Sequence, residues 1–384
     1  MASEPIYLDY NATTPVDPAV LEAMLPYLRE HFGNPSSQHA YGRRTHEAVE
    51  HARGQVARLL GAHPDEIVFT SGGTEATNHA VKGAAFAAFE RGQIGQQVLI
   101  SAVEHPATQE TARFVERLGF KRVMVGVDRY GVVDLDGMER ALRAPTLMVG
   151  VMHANNETGS LQPVAEIARL ARSRSALMHV DAAQSAGKIR VDVGELGADL
   201  LTLAGHKMYA PKGIGALFVR RGVGLERLIH GAGHESGRRA GTENVPYIVG
   251  LGEACRLAHA DLAETAARLK RLCDRLWAHL QEGLGAKVVL NGHPECRLPN
   301  TLNASFLGVI GSELLGTIPE IAASTGSACH EGEVSISPVL GAMGLDPPVA
   351  RGAVRLSLGR YTTEAEVDRA AGLLIERARA AQAR

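Results

Sequence analysis

Cysteine is scarce in this chain, and its spacing excludes a covalent framework. The 384 residues contain four cysteines, Cys255, Cys273, Cys296 and Cys329, with no Cys-x-x-Cys pair. Intervals this long and irregular argue against a disulfide scaffold or a structural zinc site. Aromatic residues make up only 4%, too few for a base-stacking surface. Neither sign of charge dominates: 40 Lys and Arg against 42 Asp and Glu leave a formal net charge of −2. No global basic field therefore marks a nucleic-acid partner. An apolar run of the roughly 18 residues that a membrane span needs is missing. The opening MASEPIYLDY has neither the basic nor the apolar region of a secretory signal. The expectation is a cytoplasmic protein with reduced thiols, no metal site, no nucleic-acid partner and no membrane partner.

What is present fits an ordered globular chain of two or three domains, with 45% apolar and 21% charged residues. Short apolar runs at 66–70, 97–101, 122–127, 146–152, 177–180, 200–203 and 216–219 alternate with helical patterns such as 74–89, 107–118 and 164–174. That alternation predicts an α/β fold with a mostly parallel sheet covered by helices on both faces. A long helical pattern over about 245–284 follows. Beyond it the texture becomes α+β, with strands at 286–292, 301–306 and 354–358 and a last helix from about Thr363. The expected division is a large domain over 15–260 and a smaller α+β domain from 261–384, with 1–14 folded back on it. Cys255 and Cys273, eighteen residues apart, fall on one side of the long helix with Trp277. With Cys296 they read as buried structural thiols.

Polar residues collect where the strands end, which is where open α/β sheets bind ligands. Lys207 follows the run Leu-Leu-Thr-Leu in Ala204-Gly205-His206-Lys207. A lysine there becomes a nucleophilic amine if burial or charge lowers its pKa, although a solvated loop lysine has the same local sequence. Asp181 ends Leu-Met-His-Val, with Gln184 one turn on. A lysine and a strand-end carboxylate together suggest pyridoxal phosphate: the amine bonds the aldehyde, and the carboxylate keeps the pyridine nitrogen protonated. Thr70-Ser71-Gly72-Gly73-Thr74 follows a strand and opens a helix, as a phosphate cradle does. A simple Thr-capped helix start has the same form. His105 in Glu104-His105-Pro106 is placed to stack on a ring and move protons. Asn156, in Asn155-Asn156-Glu157-Thr158-Gly159, offers an amide to a ring oxygen or a carboxylate.

With these stations in order, the chain resembles a cysteine desulfurase of the class V aminotransferase family, which has the fold-type I pyridoxal phosphate architecture. Further matching stretches are Tyr7-Leu8-Asp9-Tyr10-Asn11-Ala12-Thr13-Thr14-Pro15, Gly33-Asn34-Pro35-Ser36-Ser37, Gly241-Thr242-Glu243-Asn244, Gly326-Ser327-Ala328-Cys329 and Val354-Arg355-Leu356-Ser357-Leu358-Gly359-Arg360. The resemblance implies that Lys207 bears the cofactor, Asp181 pairs with its pyridinium, Gln184 reaches its ring oxygen and His105 stacks on it. Gly73, Thr74 and His206 would hold the phosphate, and Thr242 would reach the phosphate of a partner subunit in a homodimer. Asn156 and Arg355 would hold the substrate carboxylate. Cys329 would take the sulfur as a persulfide and pass it to a sulfur-acceptor protein. Ala204 departs from the serine of many members. That departure, His330 after Cys329 and the Gly-Thr-Glu-Asn form are similar to selenocysteine lyases. A lyase for selenocysteine or another cysteine analogue, or a class V transaminase, is the alternative expectation.

Overall fold

The computed structural model describes residues 4–325 and 336–383. It begins with a short strand, β1 (Ile6–Tyr7), and two helices, α1 (Pro18–Arg29) and α2 (Ala40–Leu60). Asp17 caps α1 by accepting from Ala19 N at 2.9 Å, and a proline occupies the first helical position. Helix α2 stops at Gly61, whose φ of 65° is the left-handed conformation glycine adopts without strain.

The main sheet is assembled from the next stretch. Its elements are β2 (Ile67–Thr70), α3 (Gly73–Glu90), β3 (Gln97–Ser101), α4 (Pro106–Val115), β4 (Lys121–Val125), α5 (Leu135–Ala141) and β5 (Thr146–Met152). They continue through α6 (Val164–Ser173), β6 (Leu177–Asp181), α7 (Val193–Leu196), β7 (Leu200–Ala204) and β8 (Gly215–Val219). The spatial order is β2-β8-β7-β6-β5-β3-β4. Only β8 runs against its two neighbours, so β2 and β7 point the same way. The carboxyl ends of β2, β3, β5, β6 and β7 therefore open along one edge. Strands β3, β5 and β7 are buried at every residue, because helices cover both faces; this is why they read as continuous apolar runs.

Helix α8 (Val245–Leu284) has 40 residues and so extends about 60 Å at 1.5 Å per residue. Its first part, from Val245 to Ala258, packs in the core against the main sheet, and Leu269 to Leu284 pack in a second core. That second core is completed by β9 (Val288–Asn291), β10 (Thr301–Phe306), α9 (Gly311–Gly316), β11 (Ile321–Ala322), β12 (Ala353–Ser357) and α12 (Glu364–Gln382), while α10 (Pro338–Ala342) and α11 (Pro347–Arg351) pack in a separate small cluster with Val103. An antiparallel sheet runs β12-β10-β9. Strand β1 pairs in parallel with β11, and Asp9 bridges to Ser357. The chain then crosses to the main sheet, where Thr14 N bonds His206 O at 3.0 Å.

Helices α1 and α2 had no counterpart in the sequence reading. The buried face of α2 (Val49, Ala52, Val56 and Leu60) has α8 as its partner, and a Cβ on Gly252 of α8 would lie 2.7 Å from Ala52 Cα. Close helix approach thus fixes glycine at 252. The thiols also differ from expectation. Cys255 and Cys273 are buried, one in each core, whereas Cys296 is exposed in the loop after β9. That loop is held by polar contacts, with Cys296 N bonded to His293 Nδ1 at 2.8 Å. Among the described residues, no helix is long and apolar enough to cross a membrane, and no cluster of His, Cys, Asp or Glu could hold a metal ion.

A buried ion pair ties the loop after β8 to α2 and β2. Arg53 donates to Glu235 at 2.7 and 3.1 Å, and Glu235 also accepts from Phe69 N at 2.9 Å. Both side chains are under 10% exposed (7% and 2%). Glu235→Ala leaves the Phe69 N–H without its partner and takes the buried carboxylate from Arg53, which keeps Glu50 Oε1 at 3.0 Å and Ile67 O at 2.9 Å, and is expected to cost about 3 kcal/mol. The exposed Arg113–Glu110 pair is expected to give less than about 1 kcal/mol on Arg113→Ala. Chemical unfolding midpoints of the two variants check this, and equal losses would contradict it.

Candidate active site

The sheet edge at which five strands end opens into a cavity of about 330 Å³. Its wall includes Gly73, Thr74, His105, Asn156, Asp181, Gln184, His206, Lys207 and Arg355, all singled out in the sequence. They come from the loops after β2, β3, β5, β6 and β7 and, for Arg355, from β12 of the second core.

Helix α3 begins at this wall. Its N-cap is Gly72, with φ 154° and no side chain to satisfy the first-turn N–H groups. A Cβ on Gly73 would stand 3.1 Å from Ala204 Cβ, so glycine lets the helix start close over the end of β7. Free N–H groups, the positive end of the helix dipole and the Thr74 hydroxyl form an anion site. His206 lines the same cavity as a neutral imidazole. Burial, then Lys207 and Lys212, lower its pKa to about 4.

Lys207 ends a single 3₁₀ turn after β7. Its Nζ donates to the backbone carbonyls of Asn11 at 2.6 Å and Ala12 at 2.7 Å. Burial and the Arg355 guanidinium lower its pKa to about 8, against the pull of Asp181 and Asp9. Asp181, at the end of β6, is buried and accepts from Ala183 N at 2.9 Å. Burial raises its pKa, while the Ala183 N–H, His105 and Lys207 favour its charge. His105 caps α4 by accepting Ala107 N on Nδ1 at 3.1 Å. That bond leaves Nε2 as the protonated nitrogen of the neutral ring. The ring keeps an accessible face in the cavity, yet the protein packed around it lowers its pKa.

Three residues at this site have no role in the sequence reading. Asn11 is 1% exposed and joins both cores. Its backbone N–H bonds Ser357 Oγ, its Nδ2 bonds Thr301 Oγ1, and its Oδ1 accepts from Asn300 and Lys188. Lys188 is buried behind Gln184. Asp9 accepts from Arg355 at 2.6 Å, and Arg355 also reaches Asn156 O at 3.1 Å. The only local sign of Lys188 was its spacing of four from Gln184; Asn11 and Asp9 gave none beyond their place in a matching stretch. One expected residue lies elsewhere. Thr242 is exposed in a separate recess with Ser71 and Arg239. Cys329 lies outside the described residues, as does His330.

The donor set suits pyridoxal phosphate. An uncapped helix start faces one side of the cavity, a lysine of lowered pKa another, and a buried carboxylate short of a cationic partner a third. Comparison with known proteins agrees with this geometry. The cysteine desulfurase IscS of Dictyoglomus turgidum is 44% identical over 94% of this chain and 92% of its own. The cysteine desulfurase IscS 1 of Archaeoglobus fulgidus is 46% identical over 94% of each. Among solved structures, a NifS-like protein superposes with a TM-score of 0.90 at 38% identity, covering 97% of this chain and 98% of its own. SspA, solved in complex with cysteine, gives a TM-score of 0.79 at 35% identity over 93% and 99%. The family model for class-V aminotransferases matches residues 6–370, and the chain belongs to that family.

Proposed function

We propose that this protein is a cysteine desulfurase: it converts L-cysteine to L-alanine and takes the sulfur onto Cys329, with pyridoxal phosphate bound in the cavity. The observation that carries the reading is the meeting of Lys207, Asp181 and the uncapped start of α3 at one sheet edge. When bound, the cofactor supplies an electron sink for bonds broken at the substrate's carbons.

The chain's own residues do the rest. Lys207 would be the amine that holds the cofactor, and its free amine would serve as the base for the proton on the substrate's Cα. Asp181 holds a proton on the pyridine nitrogen, and that cation in turn stabilises the buried carboxylate. Gln184 offers its N–H to the ring oxygen, and His105 covers the ring face. Gly73, Thr74 and His206 hold the phosphate. The Arg355 fork, aimed by Asp9 and Asn156 O, takes the substrate carboxylate with the Asn156 amide. The Cys329 thiolate attacks the substrate sulfur; the carbon–sulfur bond breaks, and the new sulfur–sulfur bond leaves a persulfide for an acceptor protein. In this reading the enzyme is a homodimer in which Thr242 serves the partner's phosphate site. The cofactor-binding unit covers 15–260, and 1–14 with 261–384 form the smaller unit that carries Arg355.

Three outcomes test this. Cofactor uptake by the apoenzyme needs the free amine of Lys207, whose pKa is about 8. The uptake rate is expected to rise through that pH and level off above it, and Lys207→Ala to show no visible band at any pH. A rise centred near about 10.4, the ordinary lysine value, would contradict the assignment.

Asp181→Asn keeps the shape but not the charge. Turnover is expected to fall by at least about 100-fold, or roughly 2.7 kcal/mol of barrier, with melting little altered. Steady-state alanine formation measures it; near-normal turnover would mean that another group holds the ring nitrogen.

Cys329→Ser is expected to bind cofactor normally and to lose persulfide formation with nearly all sulfide release from cysteine. Peptide mass spectrometry after cysteine treatment should find one added sulfur at Cys329 in the wild type. Undiminished sulfide release by the variant would remove Cys329 from the reaction.

A further inference from the structure

Behind the cavity wall lies a second lysine that the proposed chemistry leaves unused. Lys188 is 7% exposed, and its amine lies 2.7 Å from Gln184 Oε1 and 2.9 Å from Asn11 Oδ1. Both contacts are amide oxygens. The charges that act on it, Lys207 and Arg355, are cations, and burial adds to their effect, so its pKa falls well below the ordinary lysine value. A neutral amine has two N–H bonds to donate, and here two acceptors receive them.

The position of Lys188 follows from the chain just after β6. Residues 182–188 wind as a helical turn: Ala186 N bonds Ala182 O at 3.0 Å, and Lys188 N bonds Ser185 O at 3.0 Å. Gln184 and Lys188, four apart, share one side of that turn. Gly187, at φ 73°, seats it against the neighbour of Lys207, since a Cβ there would lie 3.1 Å from Met208 Sδ.

These contacts decide which way two amides face. Gln184 Nε2 lies 2.9 Å from Asn11 O, the atom that also accepts Lys207 at 2.6 Å. Exchanging the ends of the Gln184 amide would set oxygen against oxygen there and N–H against amine at Lys188. Asn11 is fixed likewise: its Oδ1 is held by Lys188 and Asn300, which turns Nδ2 toward Thr301 Oγ1 and Asn156 O.

We propose that Lys188 is a positioning residue, a buried amine that clamps the amides of Gln184 and Asn11 so that Gln184 presents an N–H, not a carbonyl, toward the ring oxygen of the cofactor. The inference rests on the reading of the cavity as a pyridoxal phosphate site. It acts through Gln184, so its signature is coupling between the two residues.

The test uses full-length enzyme with Lys188→Met, which keeps the length without the donor, and Lys188→Gln, whose amide falls short of Gln184 Oε1. Cofactor affinity is measured by absorbance titration, together with the pH midpoint of the visible band of the lysine-bound cofactor. Each variant is expected to bind cofactor about tenfold more weakly, the loss of one directed hydrogen bond, and to shift that midpoint. Gln184→Ala is expected to cost less than about twofold in either Lys188 background while costing about tenfold in the wild type. Affinity and midpoint equal to wild type in both variants, or the same Gln184→Ala factor in every background, would overturn the clamp. If Lys188→Met does not fold, the Lys188→Gln cycle gives the same two outcomes. Wild-type protein that takes up no pyridoxal phosphate would overturn the cavity reading and the clamp together, whereas normal uptake with unaltered variants overturns the clamp alone.

Discussion

A buried amine must find acceptors, and Lys207 finds both of its own on the backbone of one short segment, at Asn11 and Ala12. That segment is also where the chain passes from the second core to the main sheet. Strand β1 anchors it on one side through β11, and Thr14 anchors it on the other through His206. The bonds of Asn11 to Ser357, Thr301 and Asn300 bring the second core to the same point. The Lys207 amine and the joint between the two cores thus depend on one set of hydrogen bonds. Arg355, which belongs to the second core, reaches the cavity because that joint is closed.

Strands at the site were legible because a parallel sheet buried on both faces writes itself as unbroken apolar runs. Their ends were legible because polarity returns abruptly at Gly72, Glu104, Asn155, Asp181 and Gly205. Strand β4 was placed slightly long: the run reads to Val127, and the strand ends at Val125. Helices α1 and α2 were not legible by themselves. The buried face of α2 mixes alanine, valine and leucine with Gly42, Thr45 and Arg53, and its meaning depends on α8, which lies far along the chain.

The polar hub was harder still. The partners of Asn11 are 145 to 346 residues away in sequence, so no local period encodes them. Lys188 looked like one more charged residue near a turn; only the fold reveals that it is buried among amides and cations. Cys296 shows the reverse error. A free cysteine is commonly buried, but Cys296 is exposed in a loop pinned by His293.

The charge state of the cavity and its surroundings follows from burial. Burial keeps His79, His153 and His179 near pKa 4, as it does His206, so the imidazoles around the sheet edge are neutral at pH 7. It also raises Glu104 to about 8 and Glu157 to about 7, despite hydrogen bonds from Ser101, Met152 N and Ser337 that favour the carboxylates. Around the cavity, Asp9 pairs with Arg355, Lys207 has a lowered pKa of about 8, and Asp181 is held between burial, which raises its pKa, and His105 and Lys207, which favour its charge. A ligand carrying a phosphate and a protonated ring nitrogen complements such a wall at both ends. Its anion would meet the start of α3 and neutral donors, and its cation would meet Asp181. A wall of cations would bind the same phosphate more strongly, but it would also drive the pKa of Lys207 lower and weaken the Asp181 pairing with the ring by competing for the carboxylate. An anion site built from dipoles and an amine of lowered pKa are therefore two consequences of one constraint, burial at the end of a parallel sheet.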